Sequence, residues 1–112
     1  SLFDVTKNHI FISSLFYDED IDFQIKVREF EKEKGKKGYN NYYNVYSYPR
    51  FEEFAYSLGA KKIKAYNFEI KKDLEKPKKN FMGTHTLNLE NGKRVQVSGT
   101  IIMPWKIIRI DL

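Results

Sequence analysis

The stretch Tyr42–Lys72, YYNVYSYPRFEEFAYSLGAKKIKAYNFEIKK, decides the fold, because it holds one helix signal between two strand signals. Phe51, Phe54, Ala55 and Leu58 stand at i, i+3, i+4 and i+7, the spacing of one apolar helix face. Pro49 suits the first turn, and Gly59 suits the left-handed position past the last. A short helix is expected at about 49–58, packing on a sheet through Phe51, Phe54 and Leu58. Before it, residues 39–48 alternate. Tyr43, Val45 and Ser47 fall on one face, and Tyr42, Asn44, Tyr46 and Tyr48 on the other. After it, residues 61–74 read as one long strand with Tyr66, Phe68 and Ile70 on a common side.

Working outward, the first eight residues carry no sustained period and read as a partly docked arm. Residues 9–17 (HIFISSLFY) form a strand by their β-branched and aromatic content, with Asp18-Glu19-Asp20 as a polar break. Ile21, Phe23, Ile25 and Val27 alternate strictly with polar residues, so 21–30 reads as a strand; a helical reading through Phe23, Val27 and Phe30 competes with it. The charged run 31–37 reads as a solvated loop.

Towards the C-terminus, Pro77 within Lys76-Pro77-Lys78-Lys79 separates two strands, since it cannot join a central ladder. Residues 81–90 and 93–103 then alternate on either side of Asn91-Gly92, which predicts a hairpin with a type I′ turn. Pro104-Trp105 turns the chain into a last strand, 106–112. The expected fold is α+β, a single antiparallel, β-dominated domain over residues 1–112. It has about seven strands in a curled sheet or partly open barrel, and one short helix. Three strands, a helix and a hairpin resemble the element order of an OB-fold, which has fewer strands. Small cystatin-like sheets accommodate similar content.

Composition narrows the function without naming it. The chain has 112 residues, 41% hydrophobic and 16% aromatic with eight Tyr and nine Phe, which argues against disorder. It has no Cys, so disulfides, thiolate chemistry and Cys-based zinc sites are excluded. No apolar run approaches the roughly 18–20 residues of a membrane span, and the chain reads as soluble. It opens on Ser1-Leu2 without an initiator Met, so a trimmed product is expected, and what preceded Ser1 would decide between cytoplasm and exterior.

Catalytic constellations are weak. Glu69-Ile70-Lys71 is an E-x-K of the kind metal-dependent nucleases place on a strand, but no second carboxylate stands in the expected setting. An exposed ion pair is the better reading. Asp18, Glu19, Asp20 and Asp22 lack the Gly and terminal Glu of a calcium loop. His9 and His85 lack an evident third ligand. Ser13, Ser14, Ser57 and Ser98 have no elbow or base, and there is no phosphate-binding glycine loop. No enzymatic activity, metal or cofactor is expected.

Surface recognition is what is left. The net charge of +5 is carried largely by Lys. Lys61, Lys62, Lys64, Lys71, Lys72, Lys76, Lys78 and Lys79 follow closely on a Tyr- and Asn-rich segment. Lysines that track phosphates, with Tyr42 and Tyr46 as stacking rings, are the chemistry of single-stranded nucleic acid binding or capture of another polyanion. The same lysines would equally serve to solubilise a small sheet whose core the tyrosines fill. The alternative is the extracytoplasmic part of a lipoprotein or membrane-anchored assembly component, making contacts with a protein partner.

Overall fold

The computed structural model describes residues 1–30, 38–68, 70–79 and 82–112. The charged run 31–37, Glu69 of the E-x-K, and residues 80–81 lie outside them. The fold is α+β and dominated by strands: α1 (Leu2–Val5), β1 (His9–Tyr17), β2 (Phe23–Arg28), β3 (Asn40–Ser47), α2 (Tyr48–Ser57), β4 (Lys62–Asn67), β5 (Thr84–Asn88), β6 (Arg94–Ser98), β7 (Ile101–Ile102) and β8 (Trp105–Asp111). A five-stranded sheet has the order β2-β3-β1-β8-β4, and a three-stranded sheet the order β5-β6-β7. The large sheet is open, so the element order does not close into the barrel of an OB-fold. All its pairs are antiparallel except β1 with β3, a short parallel contact (Phe16↔Tyr46, Tyr17↔Ser47) that periodicity alone could not reveal.

The predicted helix forms, and its ends follow from local chemistry. Buried Ser47 caps it by accepting from the Arg50 N–H at 3.3 Å, while the Ser47 N–H donates to Asp22 at 2.7 Å. At the other end Gly59 takes a φ of 104°. Its N–H donates to the Tyr56 carbonyl, and the Ala60 N–H donates to that of Ala55, which completes a Schellman motif. The buried face is only partly the expected one: Phe51 and Ala55 pack on the sheet, but Phe54 and Leu58 do not. Ala55 is 1% exposed, whereas Phe54 is 60% and Leu58 43% exposed. The line Tyr48–Phe51–Ala55 faces the sheet because the Phe16 ring of β1 meets both aromatic rings, edge-on to Tyr48 at 6.2 Å and tilted to Phe51 at 5.2 Å. Ala55, small enough for close approach, then sits against the sheet.

One core lies between α2 and the sheet: Ile10, Phe16, Ala55, Ala60, Ile108 and Ile110, with Phe3 of α1 packed at its margin. A second core joins Leu15, Val45 and Met103, with Tyr43, Ile101 and Trp105 around it. Leu15 and Phe16, adjacent in β1, are both buried. Neighbouring strand residues point to opposite faces, so this end of the sheet is covered on both sides. Strand β2 forms over Phe23–Arg28 of the expected 21–30, but as an edge it leaves Phe23 exposed and Ile25 and Val27 half-buried, and Ile21 before it is exposed too.

Three other expectations are corrected. The strand from Lys61 ends at Asn67, opposite Lys106; its partner β8 begins one residue away at Trp105, whose carbonyl accepts a last bond from the Phe68 N–H at 3.2 Å. Beyond it, Leu74 exchanges hydrogen bonds with Thr86 of β5. The hairpin pairs Thr84–Asn88 with Arg94–Ser98, but Asn91 has negative φ and only Gly92, at 80°, is positive. The Gly92 N–H donates to Leu89, and the Leu89 N–H to Lys93, so the loop is Glu90-Asn91-Gly92, a type I turn closed by a bulge in place of type I′. Nor is the return strand continuous. Gly99, with φ of 61°, reverses the chain so that Val97 pairs with Ile102.

The reassigned helix face is testable by denaturant unfolding. Phe54→Ala is expected to change stability by no more than about 0.5 kcal/mol, as at other exposed sites, whereas Ala55→Leu should cost about 1–3 kcal/mol by overpacking.

Candidate functional site

The lysines proposed from sequence are all exposed and fall on two stretches of chain. Lys61 precedes β4, where its N–H donates to the Asp111 carbonyl. Lys62 and Lys64 lie on β4 itself. Lys71, Lys72, Lys76, Lys78 and Lys79 belong to the segment that docks beside β5 through Leu74. None of these lysines has an ion-pair partner among the described residues. Tyr42 and Tyr46 are exposed too, yet on the wrong side of the sheet. Tyr46 shares the α2 face with Phe16, their centroids 6.4 Å apart, and Tyr42 follows by alternation, with its own cation Lys26 at 5.7 Å. Lys62 and Lys64 lie on the opposite face, at the opposite edge. The structure therefore separates Lys62 and Lys64 from Tyr42 and Tyr46.

What it does bring together is read from the registers of β1, β8 and β4. His9, Asp111 and Lys62 stand in one row across the sheet; Phe11, Arg109 and Lys64 in the next; and Ser13, Ile107 and Tyr66 in the third. All point away from α2. Strand geometry makes this area about 14 Å long and about 10 Å wide, room for a couple of stacked rings. Phe11 is 65% exposed and Tyr66 39%, while the Lys64 ammonium lies 5.0 Å from the Tyr66 centroid. Asp111 is the acid of these rows, and its charge is offset. One of its carboxylate oxygens lies 2.8 Å from Arg109 Nε and 2.8 Å from His9 Nδ1, and the Arg109 hydrogen bond is the main cause that holds the carboxyl below its ordinary range. Lys62 and Lys64 remain uncompensated beside the two rings.

The small sheet bounds this open area above Ser13 and Trp105. A hydrogen-bonded chain ties it there. The Asn41 amide donates to Tyr39 at 3.0 Å, Tyr39 to Tyr43 at 3.1 Å, Tyr43 to Ser98 at 2.8 Å, and Ser98 to the Met82 carbonyl at 2.5 Å. The direction follows from the last link, where only the Ser98 hydroxyl can donate. Burial pushes the Tyr43 phenol up, so it stays a donor.

Sequence reasoning missed Phe11 and Arg109. Both lay in visible alternations, HIFIS and KIIRID, but which face stays open depends on strand order. Of the histidines, His85 is buried with Nδ1 3.1 Å from the Gly83 carbonyl, and no cluster of side chains that could hold a metal occurs among the described residues. No helix among them is long and apolar enough to cross a membrane. Comparison with known proteins finds no family model, curated relative or solved structure that matches the chain.

If the Tyr43–Ser98 link holds the small sheet in place, Tyr43→Phe should lower stability by about 0.5–1.5 kcal/mol in denaturant unfolding, the usual worth of one hydrogen bond. Tyr42→Phe, at an exposed phenol, should leave the midpoint where it is.

Proposed function

We propose that the protein is a non-enzymatic binding module that takes single-stranded nucleic acid on the open face of β1, β8 and β4. The observation that carries this reading is the grouping of exposed Phe11 and Tyr66 with Lys62, Lys64 and Arg109 on one uncovered sheet face. Bases stack on exposed rings whatever their sequence, and cations alongside follow the phosphates. Affinity would be modest and sequence preference slight, since nothing on this face offers a fixed set of donors and acceptors to a base edge. The aromatic role passes from Tyr42 and Tyr46 to Phe11 and Tyr66.

A second reading, a protein-contact domain of a membrane-anchored or lipoprotein assembly, draws on a different surface. The outward side of α2 exposes Phe54, Tyr56 and Leu58, an apolar group suited to a protein partner. That surface is remote from the rings and lysines of the open face, so the two readings separate cleanly.

Fluorescence anisotropy with an oligo(dT) probe tests the first. With about three phosphates neutralised, log affinity should fall against log salt with a slope near −2. Phe11→Ala and Tyr66→Ala should each cost about 1–3 kcal/mol of binding. Lys62→Glu with Lys64→Glu should weaken it further, and Tyr42→Ala with Tyr46→Ala should not. Absence of binding at low salt would sink this reading in favour of the protein-contact one. Charge dependence without any ring dependence, matched by anionic vesicles, would mean a generic polyanion surface.

A further inference from the structure

A cleft of about 660 Å³ opens where the ends of β1 and β4 and the start of β8 meet the small sheet. A smaller hollow of about 270 Å³ adjoins it, and Phe68, Ile70, Gln96 and Trp105 line both. The larger space falls in the range that holds a small ligand. Its composition is specific. Trp105 and Phe68 supply rings, Val95, Ile102 and Met103 supply apolar wall, and four cations border it: Lys71, Lys93, Arg94 and Lys106.

Those cations divide into two pairs. Lys106, half-buried, has its ammonium 3.0 Å from the Asn67 amide oxygen and 3.2 Å from Asp18. Arg94 donates through Nε to Asp73 at 2.6 Å. Both are fixed and largely neutralised. Lys71, which follows β4, and Lys93, from the β5–β6 turn, reach the same cleft from different parts of the chain. Neither has an ion-pair partner among the described residues. Asp18 is the one acid among the described residues of the lining, and Lys106 already engages it. Two uncompensated ammonium groups facing one cavity repel each other, and an anion of double charge between them relieves both. The aromatic and apolar walls beside them call for a flat ring.

We propose that this cleft binds a small planar aromatic molecule carrying a phosphate dianion, of the nucleoside monophosphate class. The ring lies against Trp105 and Phe68, and the phosphate between Lys71 and Lys93. The proposal is independent of the open sheet face, whose rings and lysines are different residues.

Trp105 is the only tryptophan of the chain and so reports on its own site. The intact protein is titrated with AMP while Trp105 emission is followed, and equilibrium dialysis of labelled AMP runs in parallel. The expected result is a saturable emission change that matches the dialysis isotherm and weakens with salt. Adenosine, without the phosphate, and ribose 5-phosphate, without the ring, should each bind at least about tenfold more weakly. Lys71→Glu with Lys93→Glu, both at exposed positions, should weaken AMP by about tenfold or more while thermal unfolding stays unchanged. Phe11→Ala with Tyr66→Ala should bind AMP as the wild type does. The proposal is overturned if dialysis detects no binding at millimolar AMP, if binding leaves Trp105 emission unaltered, if adenosine or ribose 5-phosphate binds as well as AMP, if the lysine variant is unaffected, or if the Phe11/Tyr66 variant loses AMP.

Discussion

The last strand of the chain lies in the interior of the large sheet, between the first strand and β4, and the rest of the structure depends on that insertion. Ile108 and Ile110 of β8 have no exposed surface, and the β1–β8 register runs unbroken from His9↔Asp111 to Leu15↔Trp105. Without β8, β1 and β4 would be separate edges and the core under α2 would lose its middle. Closing a pairing between the two ends of the chain costs loop entropy before the burial of Ile108 and Ile110 returns it, so folding should be slow for a chain of this size. The same insertion fixes side-chain faces. Ile108 and Ile110 point to α2, and Ile107, Arg109 and Asp111 must therefore point the other way.

The large sheet is consequently of two kinds along its length. At the Leu15 end the small sheet covers the face away from α2, and Val45, Met103 and the Tyr43–Ser98 hydrogen bond hold it there. At the His9 end that face stays open, and a ring as large as Phe11 stands in solvent. Coverage of one half thus creates both surfaces for which binding is proposed: the open rows of β1, β8 and β4, and the cleft at the rim where the large sheet meets the small one. Trp105 is the residue common to the inner packing and the cleft.

How much of this was legible in the sequence depended on the range of the interaction involved. Signals within a few residues read correctly: Pro49 and Gly59 bracket α2, alternation puts Val45 and Ser47 on one face of β3 and Tyr46 on the other, and Phe23–Arg28 is a strand. Signals that need a partner did not. The apolar stripe of α2 placed Phe51 and Ala55 inward correctly but allowed Phe54 and Leu58 there as readily as Tyr48, and Phe16 on a distant strand chose between them. The strand from Lys61 looked long because its pattern continued past the point where β8 ceases to pair. Asn91-Gly92 signalled a hairpin correctly, but the turn type was set by where the Leu89–Lys93 bonds close. For the site, periodicity assigned Tyr42 and Lys64 to faces of their own strands without the strand order that shows those faces to be opposite.

On the function proposed above, single-stranded nucleic acid meets the sheet face turned away from α2. Amide and side-chain NMR shifts, recorded as a short oligo(dT) is added at low salt, test it residue by residue. Shifts are expected at Phe11, Lys62, Lys64, Tyr66 and Arg109, with Tyr42, Tyr46 and Phe54 unmoved. Shifts centred on Tyr42 and Tyr46, or none at saturating oligonucleotide, would contradict it.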